Sequence, residues 1–553
     1  MPTEEELHTL RRVSGKIPWL VLTIAFVELV ERMSYYGTIA VFTNFIQKPN
    51  PGTATGRPLD PNDKEAQPGA LGMGQQASTG ISNFNKFWVY LMPLLGAYIA
   101  DTYLGRFKTI VYACIIAEVG HIILTVSAVP GVMARPHTSL GVFILGLIFM
   151  GVGTGFFKPN ISPLIAEQVP QEVMHVKTTE KGERVIVDPA ITTSRIYNYF
   201  YLFINIGALV GQVGMVYAER YVGFYLSFLI PTLFFLLCFP VLLFCRTRYI
   251  RHKPEGNVLL PAVKLLFLGL KGRWHLNPVR MWRHWHDGTF WECIKPSYFG
   301  STRPSWMDFD DAWVDEVARG WSACSVFLWY PLYWITYNQI ENNLTSQAST
   351  MKLGGVPNDI ISNLNPFAIM ILIPLMDTVV YPALRRAGVR FTPIKRITFG
   401  FFLGTAAMVY ACVLQFYMSV TLGSPCLDCK SPLTIWLQTP IYILIAASEI
   451  LASITSLEYA FTKAPKNMRS LVQAFALFMS AISAALGFAL VALSRNPLLV
   501  WNYGTAAVAS FLGGCAFWWC CRGLDEVEDR LNMLPRGRMG VTEEMEMEVR
   551  GRK

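Results

Sequence analysis

Long apolar runs separated by short polar stretches dominate the chain. Crossing a bilayer takes roughly 20 mostly apolar residues. Runs of that length recur about twelve times, near 18–46, 77–101, 108–129, 139–163, 193–218, 222–245, 322–346, 362–384, 394–420, 433–461, 470–494 and 498–521. The pattern predicts an all-α membrane protein, because a helix satisfies its own backbone within a lipid core. The first run is too long for a signal peptide, follows an acidic start and lacks a small-residue cleavage site. Six runs, a long loop and six more runs predict two six-helix halves. The expected organisation is an N-terminal tail (1–17), a first bundle (18–245), a loop (246–321), a second bundle (322–521) and a polar C-terminal tail (522–553).

Between the runs the patterning changes. In SWMDFDDAWVDEVARGW, Trp306, Phe309, Trp313 and Val317 fall at helical spacing with acids between them. This fits an amphipathic helix on the inner surface, or a plain linker strut. The stretch PNPGTATGRPLDPNDKEAQPGA is rich in Pro, Gly and polar residues and reads as a mobile loop. Most of the 11 cysteines fall in or beside apolar runs and read as small apolar packers. Cys426 and Cys429 lie in a loop expected outside, where a disulfide is allowed.

Composition supports the class: 52% of the 553 residues are apolar and 15% charged, against about 25% charged in an average soluble domain. Lys and Arg concentrate in alternate loops, at Arg11, Arg12 and Lys16, at Arg106 and Lys108, at Lys177, Lys181 and Arg184, in 246–320, at 385–396 and at 463–469. That set is expected to be cytoplasmic, which puts both termini inside. The net charge of +9 is largely this bias, so no nucleic-acid partner is expected.

Against this background the segment ELVERMSYYG is anomalous. Glu28, Glu31 and Arg32 sit inside the first run, with apolar residues on both sides. A charge at mid-bilayer costs at least about 2.5–3.5 kcal/mol. Spacings of three and four residues put all three on one helix face, where they can partly neutralise one another. They could be a structural ion pair, or a proton or substrate site lining a polar cavity. Other runs add Lys158, Asn205, Glu341, Asn365, Glu449 and Glu458, with Tyr35, Tyr36, Tyr90 and Trp334 as polar-tipped or flat rings. Opposite charges thus come from both halves. A cavity so lined suits a small zwitterion, one end met by Arg or Lys and the other by carboxylate and amide oxygens.

ELVERMSYYG resembles the E-x-x-E-R-F-x-Y-Y-G signature of the proton-dependent oligopeptide transporter family. GAYIADTYLGRFKTIV, GTGFFKPNIS, FYLFINIGALVG and SLEYAFTKAPKNMRSLVQA resemble further signatures of that family, in family order from the first run to the eleventh. The long central loop and NQIENNLTSQA are most similar to the fungal di- and tripeptide transporters. The resemblance implies the major facilitator fold and alternating access that imports di- and tripeptides with protons. It implies a multi-pass protein of the plasma membrane, acting as a monomer and needing no cofactor beyond protons as the coupling ion. It assigns proton coupling to Glu28, Glu31, Arg32 and Lys158. Substrate contacts fall to Tyr35, Tyr36, Tyr90, Lys158, Asn205, Trp334, Asn365, Glu449 and Ser453, the last within E-x-x-x-S.

Departures from the family pattern matter. Many relatives carry an Arg two residues after the motif's Gly and an acid in the seventh span that pairs with it. Here Ile39 and Asn338 hold those positions. Losing both partners together avoids a single buried charge. Glu341, three residues beyond Asn338, could supply an acid there. The resemblance also leaves room for other cargo, since some members carry nitrate, glucosinolates or hormones. A nutrient sensor is a second class, but the tails hold no recognisable signalling domain. An enzyme is not expected: there is no P-loop, G-x-S-x-G, H-E-x-x-H or zinc spacing. Gly151 to Gly155, GVGTG, lacks a preceding strand and fits close helix packing.

Overall fold

A computed structural model of the chain describes residues 10, 12–168, 175–178, 182–187, 189–251, 259–271, 289–300, 303–304, 306–388, 391–422, 431–456, 459, 469–495 and 497–523. Glu458, Cys426 and Cys429 lie outside the described residues.

Nine helices among these residues are long and apolar enough to cross a membrane. They match the third to sixth and eighth to twelfth runs. The other three runs are helical but more polar, and they carry intramembrane charges. We label the helices by run: α1 Trp19–Ala40, α2 Gly74–Ile99, α3 Arg106–Ser127, α4 Pro136–Glu167, α5 Pro189–Tyr221, α6 Phe224–Phe235, α7 Tyr330–Tyr337, α8 Leu364–Leu375, α9 Pro393–Leu422, α10 Thr439–Glu449, α11 Arg469–Leu490 and α12 Leu499–Cys521. The chain is therefore an all-α membrane protein with six helices before the long loop and six after it.

Small residues set the closest approaches. A Cβ added at Gly211 of α5 would lie 2.2 Å from the Met33 carbonyl oxygen of α1, and one at Gly207 would lie 2.3 Å from that of Leu29. The two glycines are one turn apart, so α5 presses its backbone onto α1 beside the charged cluster. The GVGTG stretch also packs closely: a Cβ at Gly153 would lie 2.4 Å from Ala117 N of α3, and one at Gly155 would lie 2.3 Å from Met92 Cβ of α2.

The two bundles meet mainly through α2 against α11 and α5 against the turn preceding α8. Among the described residues, every hydrogen bond joining the bundles lies toward the face opposite the termini, which we call the distal face. The amide run after α7 supplies many of them. Asn342 Nδ2 donates to Ser78 Oγ at 3.0 Å and Ser82 Oγ at 3.1 Å, and Thr79 Oγ1 donates to Asn342 Oδ1 at 2.7 Å. The Pro- and Gly-rich stretch after α1 is pinned rather than free. Gln67 donates to the Ser349 carbonyl at 2.6 Å, and Glu65 accepts from Leu353 N and Gly354 N at 3.1 and 2.9 Å. Its composition marks a loop but does not reveal these partners, which lie in the other bundle.

At the terminal face, strands β1 Arg12–Val13, β2 His175–Thr178 and β3 Arg184–Val187 form a small sheet in the order β1-β3-β2. β1 is parallel to β3, and β2 is antiparallel to it. The tail thus joins a hairpin from the loop between α4 and α5. In the central loop the helix runs Asp311–Ser325, so Trp306 and Phe309 precede it instead of lying on it. Asp310 starts the helix by accepting from Trp313 N at 2.8 Å. Phe309, Trp313 and Val317 bury against Leu265 and Phe290, giving this loop its own apolar core.

Candidate substrate and proton site

The charges of α1 are buried and self-paired. Glu28, Glu31 and Arg32 are 3%, 1% and 3% exposed, so none lies at a frayed end. Arg32 Nε is 2.9 Å from Glu28 Oε1 and 2.7 Å from Glu31 Oε2. These are close charge contacts without aligned hydrogen-bond geometry, and among the described residues Glu28 Oε2 and both Glu31 oxygens have no hydrogen-bond donor. One guanidinium faces two carboxylates, so the cluster is one positive charge short. Lys158 of α4 is the cation within electrostatic reach of both acids. Among the described residues it makes no ion pair, and its Nζ sits 4.4 Å from the Tyr90 ring centroid and 5.9 Å from that of Tyr35. Tyr36 meets Tyr35 edge-on, with centroids 5.4 Å apart. The structure thus gathers Glu28, Glu31, Arg32, Tyr35, Tyr36, Tyr90 and Lys158 in one place.

The second bundle contributes an acid held by an amide. Asn365 Nδ2 donates to Glu449 Oε2 at 3.1 Å. Glu449 ends α10 and is followed by a π-helical turn, Ile450–Ile454, a distortion frequent at functional sites. Its carboxylate is in electrostatic reach of Tyr90 and Tyr201 in the first bundle, so the two groups face a common space. Ser453, one turn on, is half-buried, and its carbonyl accepts from Ser456 Oγ at 2.8 Å. Trp334 is half-buried between Tyr333 and Tyr337, at centroid distances of 5.3 and 5.2 Å. Asn205 bonds its own helix through the Tyr201 carbonyl at 2.8 Å, leaving its amide unpaired with the opposite bundle.

Ile39 and Asn338 are answered by a residue the sequence reading missed. Lys86 of α2 reaches across the bundles to Glu341 Oε2 at 3.0 Å and to Asn338 Oδ1 at 3.2 Å. Glu341 lies in the π-helical turn Ile340–Leu344 that follows α7. A cation from the second span and an acid one turn past the usual position therefore join where the resemblance places an Arg–acid pair. The signal was available: Lys86 is a charge inside an apolar run, the same criterion that singles out Lys158.

Comparison with known proteins shows what the chain is similar to. The profile of the POT family matches residues 107–505. A probable peptide transporter, ptr2, of Schizosaccharomyces pombe is 40% identical over 539 residues, covering 96% of this chain and 82% of that protein. The peptide transporter PTR2 of Saccharomyces cerevisiae is 36% identical over 543 residues, covering 96% of this chain and 84% of its own. The crystal structure of the POT family transporter PepTSo superposes with a TM-score of 0.70 at 21% identity, over 94% of this chain and 100% of that one. That structural likeness carries the major facilitator arrangement of two six-helix bundles.

Proposed function

The chain belongs to the POT family, and from that premise we propose that it is a proton-coupled symporter importing di- and tripeptides by alternating access. The observation that carries the reading is the charge arrangement. A carboxylate pair with one guanidinium and one loose ammonium lies in the first bundle, and an amide-held carboxylate faces it from the second. A peptide zwitterion fits between them, its carboxylate toward Lys158 and Arg32 and its ammonium toward Glu449. Tyr35, Tyr36, Tyr90 and Trp334 supply flat, polar-tipped walls for varied side chains.

The proton enters at the α1 cluster. With two acids and one paired cation, a proton on Glu28 or Glu31 releases Arg32, or weakens the field that the acids exert on Lys158, so that one of them meets the peptide carboxylate. The bundles then rock about the loaded site. The face carrying the termini is the cytoplasmic one in this reading, from the Lys and Arg bias of its loops. The distal face is then the outer gate, closed in the conformation described, with Lys86–Glu341 and the amide run as its fastenings. We place the carrier in the plasma membrane as a monomer, with the proton as its only coupling ion.

The test is uptake of a labelled dipeptide into proteoliposomes, with and without an inward proton gradient. Accumulation above equilibrium that needs the gradient supports the reading. Uptake that only equilibrates, gradient or not, contradicts coupling. If dipeptide neither accumulates nor exchanges, the cargo assignment fails, and nitrate or other small organic anions are tested next.

A further inference from the structure

Two carboxylic acids meet across the bundles at the distal face. Glu219 lies near the end of α5, and Asp359 lies in the short turn Asn358–Asn363 before α8. They are 1% and 2% exposed, and their carboxyl groups are in hydrogen-bond reach of one another. Asn44, fully buried after α1, donates its amide to both, at 3.1 Å to Glu219 Oε1 and 2.6 Å to Asp359 Oδ2. Asn358 donates to Asp359 Oδ1 at 3.0 Å and to Asn44 Oδ1 at 3.0 Å. Both Asp359 oxygens are thus occupied as acceptors. Glu219 Oε2 is buried with no amide or hydroxyl donor among the described residues.

Among the described residues no cation pairs with either acid. Arg220 turns its guanidinium to the carbonyls of Pro61, Asp63 and Gly355, at 3.2, 2.9 and 3.3 Å. Lys48, just past the short helix that carries Asn44, is in electrostatic reach of Asp359 and hydrogen-bonds Gln67. Tyr442 of α10 is in electrostatic reach of Asp359 and offers a neutral phenol. Two buried carboxylates that share one amide donor and have no cation in contact resist being ionised together, because desolvation and like-charge repulsion act together against it.

We infer that Glu219 and Asp359 share one proton while the distal face is closed, and that this second proton site latches the outer gate. This rests on the transport reading above for what is outside and what moves. The proton sits on Glu219 Oε2, whose O–H then donates to the Asp359 carboxylate. When the bundles part, the acids separate and hydrate, and the proton leaves to the outer water. One proton from that side is taken up when they close again. An acidic outer solution therefore favours closure over the cargo. The closed state is held at low pH and loses the latch as pH rises through the titration of the pair.

Hydrogen exchange on the full-length wild-type protein in nanodiscs, corrected for intrinsic rates, reads this directly. We expect protection of segments 40–48 and 353–364 to fall by about tenfold per pH unit between the titration of the separated acids and that of the closed pair, and to level off above it. Glu219→Gln puts an amide donor where the O–H was, so its response should flatten to within about twofold across that range. Asp359→Asn removes the second charge and should flatten it as well, which keeps the test available if one variant fails to fold. Wild-type protection that ignores pH, or variants that follow the wild-type curve, would overturn the latch. The readout needs no transport, so it can fail while dipeptide uptake succeeds, and the reverse.

Discussion

A charge in a membrane helix demands a partner or a task, and the charged residues here divide along that line. Arg32 is consumed by two acids, whereas Lys158 rests on aromatic faces with no acid in contact among the described residues. The loose ammonium is the one free to answer a peptide carboxylate. Glu449 is held by Asn365 and has no cation partner among the described residues, so it is poised to take an ammonium. Glu449→Gln should weaken dipeptide binding by about tenfold, roughly 1.4 kcal/mol, with the α1 cluster intact. Equilibrium binding measures this, and an unchanged Kd would remove Glu449 from the site. Most of these residues are legible in the sequence because a polar group inside an apolar run stands out. Lys86 stands out equally, yet its partner is not readable, since the pairing with Glu341 depends on how two distant helices cross. Glu219 and Asp359 were invisible for a simpler reason. They lie near run ends, where an acid is ordinary.

Helices followed from the apolar runs, and the reasons for their exact contacts did not. Nothing in periodicity says that Gly207 and Gly211 of α5 meet the backbone of α1 rather than another neighbour. The structure shows why small residues recur in FYLFINIGALVG: a side chain at Gly211 has no room above Met33. Gly211→Leu should cost at least about 1–3 kcal/mol, as overpacking does, and lower the thermal midpoint of purified protein. An unchanged midpoint would mean that α5 can shift away without loss. The helix expected around Trp306 begins at Asp311 instead, since Asp310 caps it and its aromatic neighbours pack from the segment before it. Spacing marks apolar positions but not the cap residue that sets where helical backbone starts. The short sheet at the terminal face was unreadable for the same kind of reason, as β1 is two residues long and its partner lies far along the chain.

Among the described residues the hydrogen bonds joining the bundles lie at the distal face, where amides, hydroxyls and the Lys86–Glu341 ion pair stitch them together. Lys86 is 9% exposed at its side chain and Glu341 is 38% exposed, so solvent softens the pair but does not cancel it. Lys86→Met strands one charge and should weaken distal closure by about 1–2 kcal/mol, less than a fully buried pair would give. The double variant Lys86→Met/Glu341→Gln should recover part of that loss. Spin-label distances across the distal face report it, and equal distances in wild type and both variants would dismiss the pair as a gate. Two bundles and twelve helices were readable from run count alone, but the conformational state was not, because it depends on contacts between residues about 300 positions apart, such as Asn44 and Asn358. The central claim is that the α1 acids couple proton to peptide, and Glu28→Gln in proteoliposomes tests it most directly. Gradient-driven accumulation of labelled dipeptide should fall to background while exchange of labelled for unlabelled dipeptide persists. If Glu28→Gln still accumulates dipeptide on a proton gradient as the wild type does, the coupling role assigned to this cluster is wrong.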